Sequence, residues 1–123
     1  IWFPDHSGGS GKACRAGRLG PGHFSFSFSP YQTHLDRAAL DGRQVDSVPL
    51  DVHVGSIAIR RFIETRQPLV TLHGYVHESA PLTGSWQEKI GRTFCFSAAH
   101  DGPELAIICF DPAQPEKAIR RLL

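Results

Sequence analysis

Hydrophobic and polar positions change period several times along the chain, and the changes mark its elements. Phe24-Ser25-Phe26-Ser27-Phe28 alternates strictly, the period of a strand with one buried face. Ser29-Pro30-Tyr31 ends it. Residues 32–52 read as a long connection of charged and turn residues, with a short helical turn expected over Asp36 to Leu40. Gly55-Ser56 opens the clearest helix, predicted over 56–67. Ser56 can cap the first free amides. Ile57, Ala58, Ile59, Phe62 and Ile63 give an apolar face, and Arg60, Arg61, Glu64 and Arg66 a wet one. Pro68 disfavours helical geometry at Gln67 and stops the helix. The apolar run Leu69 to Leu72 then reads as a buried strand, 69–73. Strand, connection with helix, strand is the order of a parallel crossover unit.

Further along, residues 79–91 are polar and turn-rich. Arg92 to Ser97 and Glu104 to Phe110 are two more strands, and Asp101-Gly102 between them is a turn signal that predicts an antiparallel hairpin. Leu105 to Phe110 is apolar at every position, which implies cover on both faces. Pro115-Glu116 opens a terminal helix with Ala118, Ile119, Leu122 and Leu123 as its packing side. Residues 1–23 are glycine-rich and are expected to form a flexible leader. Within them Gly9-Ser10-Gly11-Lys12 fails as a phosphate-binding loop, because His6 stands where the first glycine belongs and Ala13 replaces the magnesium-holding Ser or Thr.

Composition narrows the class. A chain of 123 residues, 41% hydrophobic and 20% charged, suits one domain or part of one. A net charge of +1 gives no argument for nucleic acid or membrane. No apolar run is long enough to span a bilayer. Ile1-Trp2-Phe3-Pro4-Asp5 lacks the basic region and long apolar core of a signal peptide, and the absence of Met hints at a processed or truncated product. The cysteines, Cys14, Cys95 and Cys109, are odd in number and widely spaced, with no disulfide framework and no zinc motif. Cys95 and Cys109 sit in apolar strand patterns and are expected to be small buried thiols in a reducing, cytoplasmic compartment.

The chemistry gathers after strand 69–73. Thr71-Leu72-His73-Gly74-Tyr75-Val76-His77-Glu78-Ser79 ends an apolar strand in a glycine turn that carries imidazoles, a common way to build a metal site. With Leu82-Thr83-Gly84, Trp86 and Ile90-Gly91-Arg92-Thr93, the stretch resembles the last metal motif of the calcineurin-like metallophosphoesterases. Phe28-Ser29-Pro30-Tyr31, Leu35-Asp36-Arg37-Ala38 and Asp51-Val52-His53-Val54-Gly55-Ser56 extend the resemblance from about residue 24 to the end. It implies an α/β fold, the C-terminal portion of a two-sheet sandwich flanked by helices, with residues 24–123 as a partial domain. It also implies a phosphoester substrate and two divalent cations, manganese, iron or zinc, polarising it.

Carried over residue by residue, His77 matches the second histidine of Gly-His-x-His, a metal ligand. His73 recurs before the glycine, where the family has no principal ligand; both are candidate metal residues. Tyr75 replaces the first histidine of the motif, and its phenol must lose a proton with a pKa near 10 to ligate well. Phe28 stands about where the family has another histidine. The family's Asp-x-His, Gly-Asp and Gly-Asn-His motifs are absent from residues 1–23. Metal binding by this chain is therefore expected to be weak or absent, and hydrolysis by it alone negligible. The alternative is a non-catalytic α/β module that associates with a complementary chain or with itself. His34, His53 and His100 are expected to be exposed loop histidines, Glu78 to face solvent beside His77, and Tyr31 and Trp86 to pack.

Overall fold

The computed structural model describes residues 2–4, 14–16, 21–45 and 48–123, with side chains described over 21–38 and 52–123. In chain order the elements are β1 (Trp2–Pro4), β2 (Cys14–Ala16), β3 (His23–Ser25), β4 (Arg37–Val45), β5 (Val48–His53), α1 (Ile57–Arg66), β6 (Val70–His73), α2 (Ser79–Thr83), β7 (Gln87–Ile90), β8 (Thr93–Ser97), β9 (Ala106–Asp111) and β10 (Gln114–Leu122). The fold is mixed α/β with mixed sheets. One sheet has the order β3-β6-β8-β7, a second β10-β9-β1-β2, and β4-β5 forms a separate hairpin.

The crossover unit forms as the apolar pattern predicts. β3 pairs parallel with β6, and β6 parallel with β8. Helix α1 begins where Ser56 accepts the Ile59 N–H at 3.2 Å. It ends at Gln67, which adopts the left-handed conformation (φ 48°) just before Pro68. Ile63, with Ile59 and Phe62, packs on Leu35, Ile90 and Cys95. On the opposite side of this sheet Val70 and Phe96 meet Ile108 and Phe110 of β9. The first sheet therefore has α1 on one face and the second sheet on the other, and the β9 side chains that meet it, Ile108 and Phe110, are apolar.

Several expectations are corrected. Strand β3 is His23–Ser25, so only Phe24 and Ser25 of the alternating Phe24–Phe28 run are strand. The connection 32–52 is the β4–β5 hairpin rather than a loop with a helical turn. Its two ends are held side by side, since the Val54 N–H donates to the Asp36 carbonyl at 2.9 Å and Arg37 pairs with His53, so the chain between them returns as two strands. The polar segment 79–91 contains α2 and β7. Residues 92–97 and 104–110 do not form a hairpin. Both edges of β8 are taken, by β6 and β7, and β9 crosses to the facing sheet between β10 and β1. The terminal helix expected from Pro115 is strand β10, folded back on β9 through Pro112-Ala113. Pro115, which has no ladder donor, falls in an irregularity of register between Gln114 and Ile119, the place a strand tolerates it.

In the glycine-rich leader, Trp2–Pro4 and Cys14–Ala16 are strands, β1 lying parallel to β9. Gly9-Ser10-Gly11-Lys12 lies outside the described residues. Cys95 is a free, buried thiol, as expected. Cys109 is disulfide-bonded instead, which removes one of the thiols on which the expectation of a reducing compartment rested. No helix among the described residues is long and apolar enough to cross a membrane.

Asp36 closes the turn that leads out of β3. Its carboxylate is fully buried and accepts from the backbone N–H groups of Gln32 (2.9 Å), Thr33 (2.9 Å) and Gly55 (3.0 Å), and from His53 Nδ1 (2.7 Å). Gly55 approaches so closely that a Cβ there would lie 2.7 Å from the carbonyl oxygens of both Ser29 and Pro30. Asp36→Ala strands these donors and is expected to cost about 3–5 kcal/mol in urea unfolding with an unchanged m-value. Asp36→Asn, which keeps one acceptor oxygen, should cost less. A loss below about 1 kcal/mol for the alanine variant would show that water replaces the carboxylate freely.

Candidate functional site

Parallel pairing puts the carboxyl ends of β3, β6 and β8 together, the end where α/β sheets usually carry their sites. His73 is the last residue of β6. Its Nδ1–H donates to the Phe28 carbonyl at 2.9 Å, and its Nε2 lies 2.8 Å from the Thr71 hydroxyl, whose proton it accepts. Phe26 stacks on the imidazole, ring centroids 5.7 Å apart and 10° from parallel. The ring is 4% exposed. Burial pushes its pKa down to about 4, against the opposing effect of the Phe28 carbonyl. Thr71 also hydrogen-bonds the Cys95 thiol, which burial pushes up to about 11. Cys95, Thr71, His73 and the Phe28 carbonyl thus form one buried polar chain joining β8, β6 and the segment after β3. A thiol and an imidazole with these pKa directions are both neutral near pH 7, so neither Cys95 nor His73 is held as a charged, activated group.

The loop beyond is anchored by Val76. That residue is buried, and its carbonyl accepts the Ser79 hydroxyl at 3.0 Å. Tyr75 lies in the left-handed region (φ 75°), and the Val76 N–H bridges across it to the Gly74 carbonyl at 3.0 Å. This is the strained form of γ-turn, uncommon for a bulky residue. The Tyr75 ring, 67% exposed, rests on Phe28 with centroids 4.7 Å apart. His77 is exposed and makes no hydrogen bond among the described residues; Glu78 is half-buried at the start of α2. Between the sheets a cavity of about 380 Å³ is lined by Phe26, Leu72, His73, Phe96, Ile108 and Phe110.

His73 and the Phe28 turn therefore share one end of the sheet, with the His77 loop leading directly from it. Elsewhere, His53 departs from the exposed loop residue expected of it: it is half-buried against Asp36, with Tyr31 edge-on at 5.9 Å. His34 is exposed and bonded to Glu88, and His100 bonds Glu104 at 2.8 Å. Trp86 packs on Phe96, as expected. The sequence reading missed the roles of Asp36, Thr71 and Cys95. Only Thr71 carried a signal, since it shares a strand face with His73 two residues on.

The resemblance implies two metal ions, and the described residues do not fit such a pair. The Nε2 lone pair of His73 is engaged by Thr71, and both Asp36 oxygens are taken by four donors. Aromatic rings face each other at Phe28 and Tyr75. No group of three or more His, Cys, Asp or Glu side chains suited to an ion occurs among the described residues. Compared with known proteins, the chain matches no family model, no curated protein and no solved structure.

The depressed His73 pKa ties stability to pH. The unfolded chain takes up the proton near the ordinary value of 6.5, the folded one near 4. The contribution is therefore complete above pH 6.5, declines as pH falls, and is gone below about 4, a loss of about 3 kcal/mol. Urea unfolding from pH 7 to 4 should fall more steeply for the native chain than for His73→Gln by about that amount. Equal slopes would contradict the buried neutral imidazole.

Proposed function

We propose that the chain is the C-terminal part of a calcineurin-like metallophosphoesterase domain in degenerate, non-catalytic form. Its frame is kept and its metal end is given over to packing. The observation that carries this reading is the contact between Phe28 and Tyr75. These are the two positions where the resemblance expects imidazoles, and the crossover unit brings them against one another as a pair of rings. The parallel β3–α1–β6 unit, the facing sheets and the histidine loop at the carboxyl end of β6 support the relationship. On this account the activity of the related enzymes, metal-dependent hydrolysis of phosphoesters, is lost. An aromatic ring offers a divalent cation no lone pair, and a phenol ligates well only once it has lost its proton.

Hydrolysis of bis-p-nitrophenyl phosphate with manganese tests the proposal. Turnover by the native chain should equal that of His77→Ala. Tyr75→His should raise manganese affinity without yielding an efficient catalyst, since one added imidazole does not complete two coordination shells. Robust turnover by the native chain, abolished by His77→Ala, would overturn the reading.

A further inference from the structure

A second concavity lies at the other end of the same strands. It opens where β3, β6 and β8 begin, away from the histidine loop, and has a volume of about 720 Å³. Its floor is apolar: Phe24, Phe62 and Leu69, with Phe24 edge-on to Phe62 at 5.2 Å. Phe24 and Leu69 remain 41% and 39% exposed in spite of these contacts, so apolar surface is left uncovered there. Its rim carries the guanidinium groups of Arg66 and Arg92.

The two arginines are held differently. Arg92 is fixed by its base. Its backbone N–H donates to Gln67 Oε1 at 2.8 Å and its Nε–H to the Gln67 carbonyl at 3.0 Å. Gln67 is itself locked, its Nε2 donating to the carbonyls of Ile63 (2.7 Å) and Ile90 (3.2 Å). The preceding Gly91, at φ 60°, leaves room for the Gln67 amide. The terminal N–H fork of Arg92 has no partner among the described residues, and Arg66 makes no hydrogen bond or ion pair among them. The Gln67 backbone N–H and Nε2 both donate to the Ile63 carbonyl, and Arg92 Nε–H takes the carbonyl of Gln67 itself, so two of the acceptors at the end of α1 are occupied. An anion there would meet guanidinium donors rather than the negative end of the helix. An orientation fixed before binding lowers the ordering cost of a contact, and a guanidinium fork matches carboxylate and phosphate oxygens.

We propose that this groove binds a small aromatic anion, a planar apolar ring system bearing a phosphate or carboxylate. The ring would cover Phe24 and Leu69, and the anionic group would take the N–H fork of Arg92 and the charge of Arg66. The volume falls in the range of small-ligand sites, roughly 300–1,000 Å³. Aromatic floor and cationic rim together exclude purely apolar or purely inorganic ligands as good fits. The inference does not depend on the phosphoesterase reading, since the groove lies at the opposite strand ends and uses none of the same side chains.

The experiment titrates the chain with 1-naphthyl phosphate, 1-naphthol and inorganic phosphate, followed by amide shifts in proton–nitrogen spectra. Naphthyl phosphate should shift the amides of Gly22, Leu69 and Arg92 and leave those of Gly74 and His77 in place. Naphthol and phosphate should each bind at least roughly tenfold more weakly. Arg66→Gln, which breaks no hydrogen bond or ion pair among the described residues, should weaken naphthyl phosphate by several-fold, and Arg66→Gln with Arg92→Gln by more than about tenfold. Arg92→Lys keeps the charge but loses the fork, and should fall between. Equal binding of naphthol and its phosphate, unchanged affinity in the double variant, or shifts confined to the histidine loop would each overturn the proposal. A Phe24→Ala variant that binds as well as the native chain would also do so.

Discussion

The carboxylate of Asp36 is the constraint on which the site end of the molecule depends. A buried ionised group is costly unless its acceptor sites are filled, and here four donors fill them, from Gln32, Thr33, Gly55 and His53. These donors come from the turn after β3, from the last residue of β5 and from the segment between β5 and α1. Asp36 therefore fixes where β3 stops, where the β4–β5 hairpin is rooted and where α1 begins. Ser29 and Ser56 reinforce the same junction, the Ser56 N–H donating to the Ser29 carbonyl at 2.9 Å. With the turn so placed, the Phe28 carbonyl faces His73 and the Phe28 ring faces Tyr75.

The polar groups near the histidine loop are occupied in the same manner. Cys95, Thr71 and His73 are fully or nearly buried and joined to one another and to the Phe28 carbonyl. Each satisfies a neighbour that would otherwise be unpaired in the interior. Holding loops and holding an ion make opposite demands on an imidazole. The first uses both ring nitrogens, and the second needs one lone pair directed at the ion. At the far end of the sheet the situation reverses: among the described residues Arg66 and the terminal fork of Arg92 have no partner and aromatic surface is exposed, which is where we propose that a ligand binds.

Local order was legible where it depended on near neighbours. The Ser56 cap, the Pro68 stop and the apolar run before His73 gave α1 and β6 almost to the residue, and their succession gave the parallel crossover. What failed depended on partners distant in sequence. Leu105 to Phe110 reads as covered on both faces, but only Ile108, Cys109 and Phe110 are buried while Leu105 stays exposed, and Asp101-Gly102 could not reveal that the edges of β8 were already taken. Ala118, Ile119 and Leu122 fit a helix as well as a strand, and the free edge of β9 decides between them. Residues 32–52 looked like a connection with a helical turn because the hairpin within them is set by Asp36 and Gly55 at its base. In the site, His73 stood out by position. Its partners did not, since Phe28 contributes a backbone carbonyl and Cys95 lies on a neighbouring strand.

The central claim is that the imidazole of His73 is committed to the fold and not to an ion. The ring nitrogens of His73 report on this directly through long-range proton–nitrogen spectra, recorded with and without zinc from neutral pH down to about pH 5. The account predicts one tautomer, protonated on Nδ1 with an unprotonated Nε2, unchanged by zinc and by pH over that range. A mixture of tautomers titrating near the ordinary histidine value, or an Nε2 resonance displaced by zinc, would contradict it.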